Sequence, residues 1–137
     1  MFLELLIGIT LAGLTILVIQ ILPSVIHMKI YALALIIAAL IYVGFSFLSQ
    51  NTAWIFTEII GVIIFSIISF LGLKFSPWLL AMGWLIHPVW DLFIDSHKLT
   101  AFVPHWYPTV CIGYDIAFAL YIALKCIRTI ENNPSIN

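Results

Sequence analysis

The sequence predicts an all-α membrane protein, a single domain built as a bundle of five transmembrane helices. Hydrophobic residues make up 64% of the 137 residues, only 8% are charged, and the mean hydropathy is +1.22. These values lie outside the range of soluble globular domains. A spanning helix needs about 20 mainly apolar residues. Five such segments follow one another along the chain: 2–22, 30–49, 53–73, 78–94 and 108–127.

The first three segments are the most uniformly apolar. No basic stretch precedes the first segment and no cleavage site is evident, so we expect a retained helix rather than a signal peptide. Its stripe of small residues, Gly8, Ala12 and Thr15, suits close helix packing. The second segment ends in a polar stripe that includes Tyr42. The third contains one carboxylate, Glu58, near its start.

The last two segments carry most of the remaining polar side chains. The fourth segment is the shortest and contains His87 and Asp91. Pro88 directly follows His87. Pro88 removes a backbone donor and favours a kink. Pro108 suits the first turn of the fifth helix, because a backbone N–H at that position would have no hydrogen-bond partner within the helix. Asp115 lies further along that helix.

The basic residues predict the orientation of the bundle. Lys29, Lys74, Lys125 and Arg128 fall on one side of a five-span chain, and only Lys98 falls on the other. An excess of cations marks the cytoplasmic side. We therefore expect a multi-pass protein of the cell membrane with its N-terminus outside and its C-terminus in the cytoplasm.

The ionisable side chains within the apolar segments are predicted to lie at a similar depth in the bilayer. Glu58, His87, Asp91 and Asp115 come from three segments, and a rise of about 1.5 Å per residue places all four in the outer half of the bilayer. Such residues usually face partners or a wet cavity and mark functional sites. His87 and Asp91, four residues apart, share a helix face. We expect a polar chamber in the bundle that opens towards the outside.

These side-chain types suit acid–base or metal chemistry. A carboxylate beside an imidazole orients it and raises its basicity, although such a pair also serves simply to hold helices together. The candidate catalytic residues are His87, Asp91, Asp115 and Glu58. Imidazole and carboxylate groups also bind Zn²⁺, with iron or manganese as alternatives. The candidate metal ligands are His87, Asp91, His97, His105 and Asp115.

The C-terminal third resembles a known family. It contains a Gly-Trp-x-x-His-x-x-Trp-Asp helix, a following histidine, a proline-rich loop and then Cys-x-x-x-Asp. The residues concerned are Gly83, Trp84, His87, Trp90, Asp91, His97, Pro104, Pro108, Cys111 and Asp115. This order resembles the uncharacterised bacterial integral-membrane family catalogued as domain of unknown function 6010. The resemblance implies a membrane location and a shared polar site, and it brings no established activity.

Two functional classes remain open. One is a membrane-embedded hydrolase acting on a lipid-like substrate, with water activated by a metal ion, zinc first, or by a His–Asp pair. The other is a proton- or cation-coupled transporter, or a subunit of one, with the same side chains as ion sites. A homo-oligomer would supply the exit path that the inner half of one chain lacks. The net charge of −1 gives no case for nucleic-acid binding, so the expected partners are the bilayer and a lipid-like or small-molecule ligand.

Overall fold

The computed structural model describes residues 1–48, 51–96 and 103–132, and these residues form five helices without a strand. The helices are α1 (Phe2–Ile21), α2 (Ser24–Leu48), α3 (Thr52–Lys74), α4 (Pro77–Ser96) and α5 (Tyr107–Asn132). The all-α prediction is confirmed, and each predicted segment corresponds to one helix.

Four of the five described helices have the length and composition of membrane spans. Among the described residues, α1, α2, α3 and α5 are long and apolar enough to cross a bilayer, with mean hydropathies from 1.8 to 2.4 in their most apolar stretches. Many large apolar side chains point away from the bundle, including Leu17, Ile63 and Leu120 at 60%, 54% and 57% exposure. A surface of this kind indicates a bilayer around the bundle. The chain is therefore a multi-pass membrane protein.

Prolines set the junctions between consecutive helices. Pro23 restricts the residue before it, so Leu22 is extended at φ −82 and ψ 159 and α1 ends at Ile21. The apolar pattern predicted a second segment from residue 30, but α2 begins directly after Pro23, at Ser24. The helix therefore includes His27, a polar residue that the hydropathy pattern had excluded from the span. Pro77 similarly occupies the first position of α4.

The start of α3 has a side-chain cap. The Asn51 side chain accepts a hydrogen bond from the Ala53 N–H at 3.0 Å. We predict that Asn51→Ala lowers the free energy of unfolding by about 1 kcal/mol, because one N–H of the first turn loses its partner. Denaturant unfolding in detergent checks this. Thr57→Ala is the control, since the Thr57 hydroxyl donates to the Ala53 carbonyl of its own helix, and an equal loss in both variants would contradict the capping role.

The five helices form a bundle in which α4 and α5 are central. Helix α5 packs against α1 and α4, and α3 packs against α2 and α4. Helix α4 runs antiparallel to α3, because Leu80 lies against Gly72 near one end and Trp90 against Gly61 near the other. Helix α2 reaches α5 through long side chains. The Tyr42 ring meets the ring of Tyr107 at a centroid distance of 5.7 Å.

Helices α1 and α5 approach each other through glycines. Gly8 and Gly113 are buried, and each lies directly against the backbone of the opposite helix. Ala12, one turn after Gly8, is fully buried. Small residues allow this approach because lipid-embedded helices associate mainly by close packing. The predicted packing stripe on α1 thus faces α5.

Candidate functional site

Three of the predicted site residues form one buried cluster, which we call the His-Asp-Asp group. It consists of His87, Asp91 and Asp115, whose side chains are only 1%, 1% and 2% exposed. Each side chain offers one ligand atom, and these atoms all lie within 4.8 Å of one another. Helix α4 supplies two members one turn apart, and α5 supplies the third.

The imidazole lies between the two carboxylates at unequal distances. His87 Nδ1 is 2.9 Å from Asp115 Oδ2, a hydrogen-bond distance, and 3.5 Å from Asp91 Oδ2. Within the described residues, His87 is the only ion-pair partner of either aspartate. Tyr42 also interacts with Asp91, and its phenol is a neutral group that adds no positive charge. With both carboxylates ionised, the buried group has more negative than positive charge, since even a protonated imidazole carries one charge against two carboxylates.

Aromatic rings fix the orientation of the imidazole. The rings of Phe65 and Tyr42 meet the His87 ring at centroid distances of 4.8 and 6.3 Å, both edge to face. Trp90 packs in turn against Phe65 and against Gly61, where an added Cβ would lie 3.0 Å from the indole nitrogen. These contacts leave His87 little rotamer freedom, so its Nδ1 stays directed at the aspartates.

The other predicted site residues lie at different distances from the group. Glu58 on α3 is buried, at 3% exposure, and interacts electrostatically with both His87 and Asp91. His105 is exposed in the turn before α5 and is not brought to the group. His97 lies outside the described residues. The structure thus assembles three predicted side chains and places a fourth, Glu58, near them.

The aromatic contacts of His87 did not emerge from the sequence. Phe65 is an aromatic residue in an apolar helix, a pattern typical of any packed core, so no sequence signal distinguishes it. Tyr42 belongs to the polar stripe noted on the second segment. Its ring contact with His87 depends on the register between α2 and α4, which a single sequence does not reveal.

An apolar cavity of about 320 Å³ adjoins the group. Asp115 is part of its wall, together with Cys111 and Tyr107 from the same face of α5. The rest of the wall is apolar or aromatic and consists of Leu11, Ala34, Ile37, Ala38, Ile41, Trp84, Val110 and Tyr114. Three of these wall residues, Leu11, Ile37 and Ile41, are 46%, 48% and 41% exposed. The cavity therefore borders the lipid-facing flank of the bundle between α1, α2 and α5.

Comparison with known proteins gives one match. The model of the family of unknown function DUF6010 matches residues 3–128 and so covers nearly the whole chain. Comparison with curated proteins and with solved structures found no match. The matched range extends well beyond the C-terminal motif on which the resemblance was based and includes every member of the His-Asp-Asp group. This chain belongs to DUF6010, a family of unknown function.

Proposed function

We propose that this protein is a membrane-embedded hydrolase acting on a lipid-like substrate, and that its His-Asp-Asp group holds a divalent metal ion. One observation carries the proposal. Asp115 accepts a hydrogen bond from His87 and also forms part of the wall of the apolar cavity. A reactive polar group and a binding space for an apolar molecule therefore meet at one side chain.

The charge balance of the group supports a bound cation. Burying a carboxylate without a counter-charge costs several kcal/mol, and more where no water is near. Asp91 and Asp115 have His87 as their only ion-pair partner among the described residues, and the Tyr42 phenol beside Asp91 is a neutral group. A divalent ion would neutralise both carboxylates at once. One imidazole nitrogen and two carboxylate oxygens suit zinc first, with iron or manganese as alternatives.

The roles of the side chains follow from their positions. His87, Asp91 and Asp115 would hold the metal, which when bound supplies a water-derived nucleophile at neutral pH. Glu58, buried nearby, would accept the proton of the attacking water. The water oxygen forms a bond to the acyl carbon, the ester C–O bond breaks, and the proton passes to the departing alkoxide. One ester and one water thus give one carboxylic acid and one alcohol.

The cavity supports an acyl chain as the bound part of the substrate. Its volume lies at the lower end of the range for ligand pockets, about 300–1,000 Å³. Its apolar wall borders the lipid, so a chain would enter sideways without crossing water. The transport alternative has less support, because Trp84 and Phe118, 1% and 0% exposed, pack together about one turn from His87 and Asp115, on the side of the group that the basic residues predict to be cytoplasmic.

Filling the cavity should separate substrate binding from metal binding. We predict that Ala38→Phe lowers hydrolysis of a p-nitrophenyl octanoate ester by roughly tenfold or more, the effect of losing about 1.4 kcal/mol of binding, and leaves metal content unchanged. The new ring would occupy the space that the acyl chain needs.

The matched control is Leu40→Phe on the same helix, since Leu40 is 48% exposed and lies outside the cavity wall. It should keep wild-type activity. The proposal would be contradicted if the purified wild type, loaded with zinc, hydrolysed no acyl ester, or if Ala38→Phe and Leu40→Phe behaved alike.

A further inference from the structure

A second polar cluster lies at the opposite end of the bundle from the His-Asp-Asp group. Lys125 of α5 directs its Nζ at two groups of α2, His27 Nδ1 at 3.2 Å and the Tyr31 hydroxyl at 3.3 Å. Its ammonium also lies 5.8 and 5.2 Å from the ring centroids of Tyr31 and Tyr121. The lysine is therefore held in place by α2 and by its own helix.

The hydrogen bonds of His27 determine how it holds the lysine. His27 Nε2 lies 2.8 Å from the Leu22 carbonyl oxygen, which can only accept, so Nε2 carries the proton. Nδ1 is then the acceptor for a Lys125 N–H. A neutral histidine and a phenol thus position the ammonium group without neutralising it.

The positive charge of Lys125 has no acidic partner in the structure as described, since no carboxylate of those residues lies within 4.0 Å of its Nζ. Lys74 and Arg128 lie towards the same end of the bundle. Glu131, six residues after Lys125 on α5, is exposed at the helix end. This end of the bundle therefore has an excess of cations, one of which is positioned and partly buried.

A cavity of about 340 Å³ adjoins Lys125. Its polar wall includes Lys125, Thr129 and Ser76, and Trp78 stands at its edge, 40% exposed. Its remaining wall is apolar, with Met28 and Ile122. The cavity thus combines hydrogen-bond donors with apolar surface where helices α2 and α4 begin, close to a membrane interface.

We propose that this cavity binds the phosphate headgroup of an anionic phospholipid, with Lys125 as the main contact. The Lys125 ammonium is held by three neutral groups, the His27 imidazole and the Tyr31 and Tyr121 phenols, so its positive charge remains available to a phosphate oxygen. Basic pockets between transmembrane helices are suited to such headgroups. The apolar part of the cavity wall would contact the first carbons of the acyl chains. This site is separate from the proposed hydrolase site and does not depend on it.

Native mass spectrometry of the full chain tests this proposal. The purified protein is equilibrated with equal amounts of phosphatidylglycerol and phosphatidylcholine, and the retained lipid is identified. We expect the wild type to retain phosphatidylglycerol, and Lys125→Gln to retain it roughly tenfold less, as expected for loss of a hydrogen bond to a charged group. Lys29→Gln, which removes an exposed cation near the same end, is the control and should behave as the wild type.

A second variant keeps the test decisive if Lys125→Gln fails to fold. Thr129→Trp fills the cavity from an exposed position and leaves the contacts of the Lys125 ammonium with His27 and Tyr31 intact, so it should also lose the bound lipid. Equal retention of the two lipids by the wild type would overturn the proposal. So would equal losses in the Lys29 and Lys125 variants, which would indicate general charge attraction. Displacement of the lipid by millimolar inorganic phosphate would instead identify a soluble anion as the ligand and likewise overturn it.

Discussion

Gly8→Ala is expected to lower the free energy of unfolding by about 3 kcal/mol or more, the upper end of the cost of overpacking. A Cβ at this position would overlap the Val110 carbonyl oxygen and lie 2.8 Å from the Tyr114 backbone nitrogen. Backbone atoms, unlike the end of a flexible side chain, cannot turn aside. The new methyl group would therefore force α1 away from α5 along the length of their contact.

The same helix offers a matched control. An added Cβ at Gly13 would meet nothing within 4 Å. Gly13→Ala should therefore leave the protein as stable as before or slightly more stable, because alanine favours the helix by up to about 1 kcal/mol over glycine. Denaturant titration of both variants in the same detergent gives the comparison. Similar stabilities for the two variants would contradict the close packing of α1 on α5.

His87→Ala is expected to destabilise the metal-free protein by about 3–5 kcal/mol, the cost of removing one partner of a buried ion pair. The substitution leaves Asp91 and Asp115 buried with no ion-pair partner in the part of the chain that the structure describes. Asp91→Asn should act in the opposite direction. It removes one of two buried negative charges at constant shape, so the metal-free variant should be at least as stable as the wild type while losing metal affinity.

Unfolding measured after treatment with a chelator distinguishes a ligand set from a structural ion pair. If the aspartates serve only to pair with His87, Asp91→Asn should destabilise the metal-free protein just as His87→Ala does. That result would contradict the metal site. A gain in stability accompanied by loss of metal is the result expected of a residue retained for function.

The sequence predicted the members of the His-Asp-Asp group because ionisable residues are rare within membrane-spanning segments. Asp91 and Asp115 interrupt apolar helices, where a carboxylate is costly, and the four-residue spacing from His87 to Asp91 fixes their common face. Alternation of helix direction across the bilayer then brings α4 and α5 groups to one depth. Helix periodicity and the thickness of the bilayer are therefore sufficient to predict that these side chains lie close together.

The remaining features depend on contacts between helices that are distant in the sequence. The lipid-facing cavity exists because α1 packs on α5, so that Leu11 and Ile37 share a wall with Asp115. The sequence pattern does not reveal the Lys125 cluster, because the apolar segment begins at residue 30, after His27, whereas α2 begins at Ser24, directly after Pro23. Single-sequence periodicity contains no information on which helices become neighbours.

The metal content of the purified protein tests the central proposal most directly. The protein is produced with zinc, iron and manganese supplied and then analysed by inductively coupled plasma mass spectrometry, beside His87→Ala, Asp115→Asn and His105→Ala. The account predicts about one divalent ion per chain in the wild type and in the exposed-histidine variant, and loss of the ion, by roughly a factor of ten or more in occupancy, in the other two. A wild-type protein that is metal-free and takes up none of these ions on addition would contradict it.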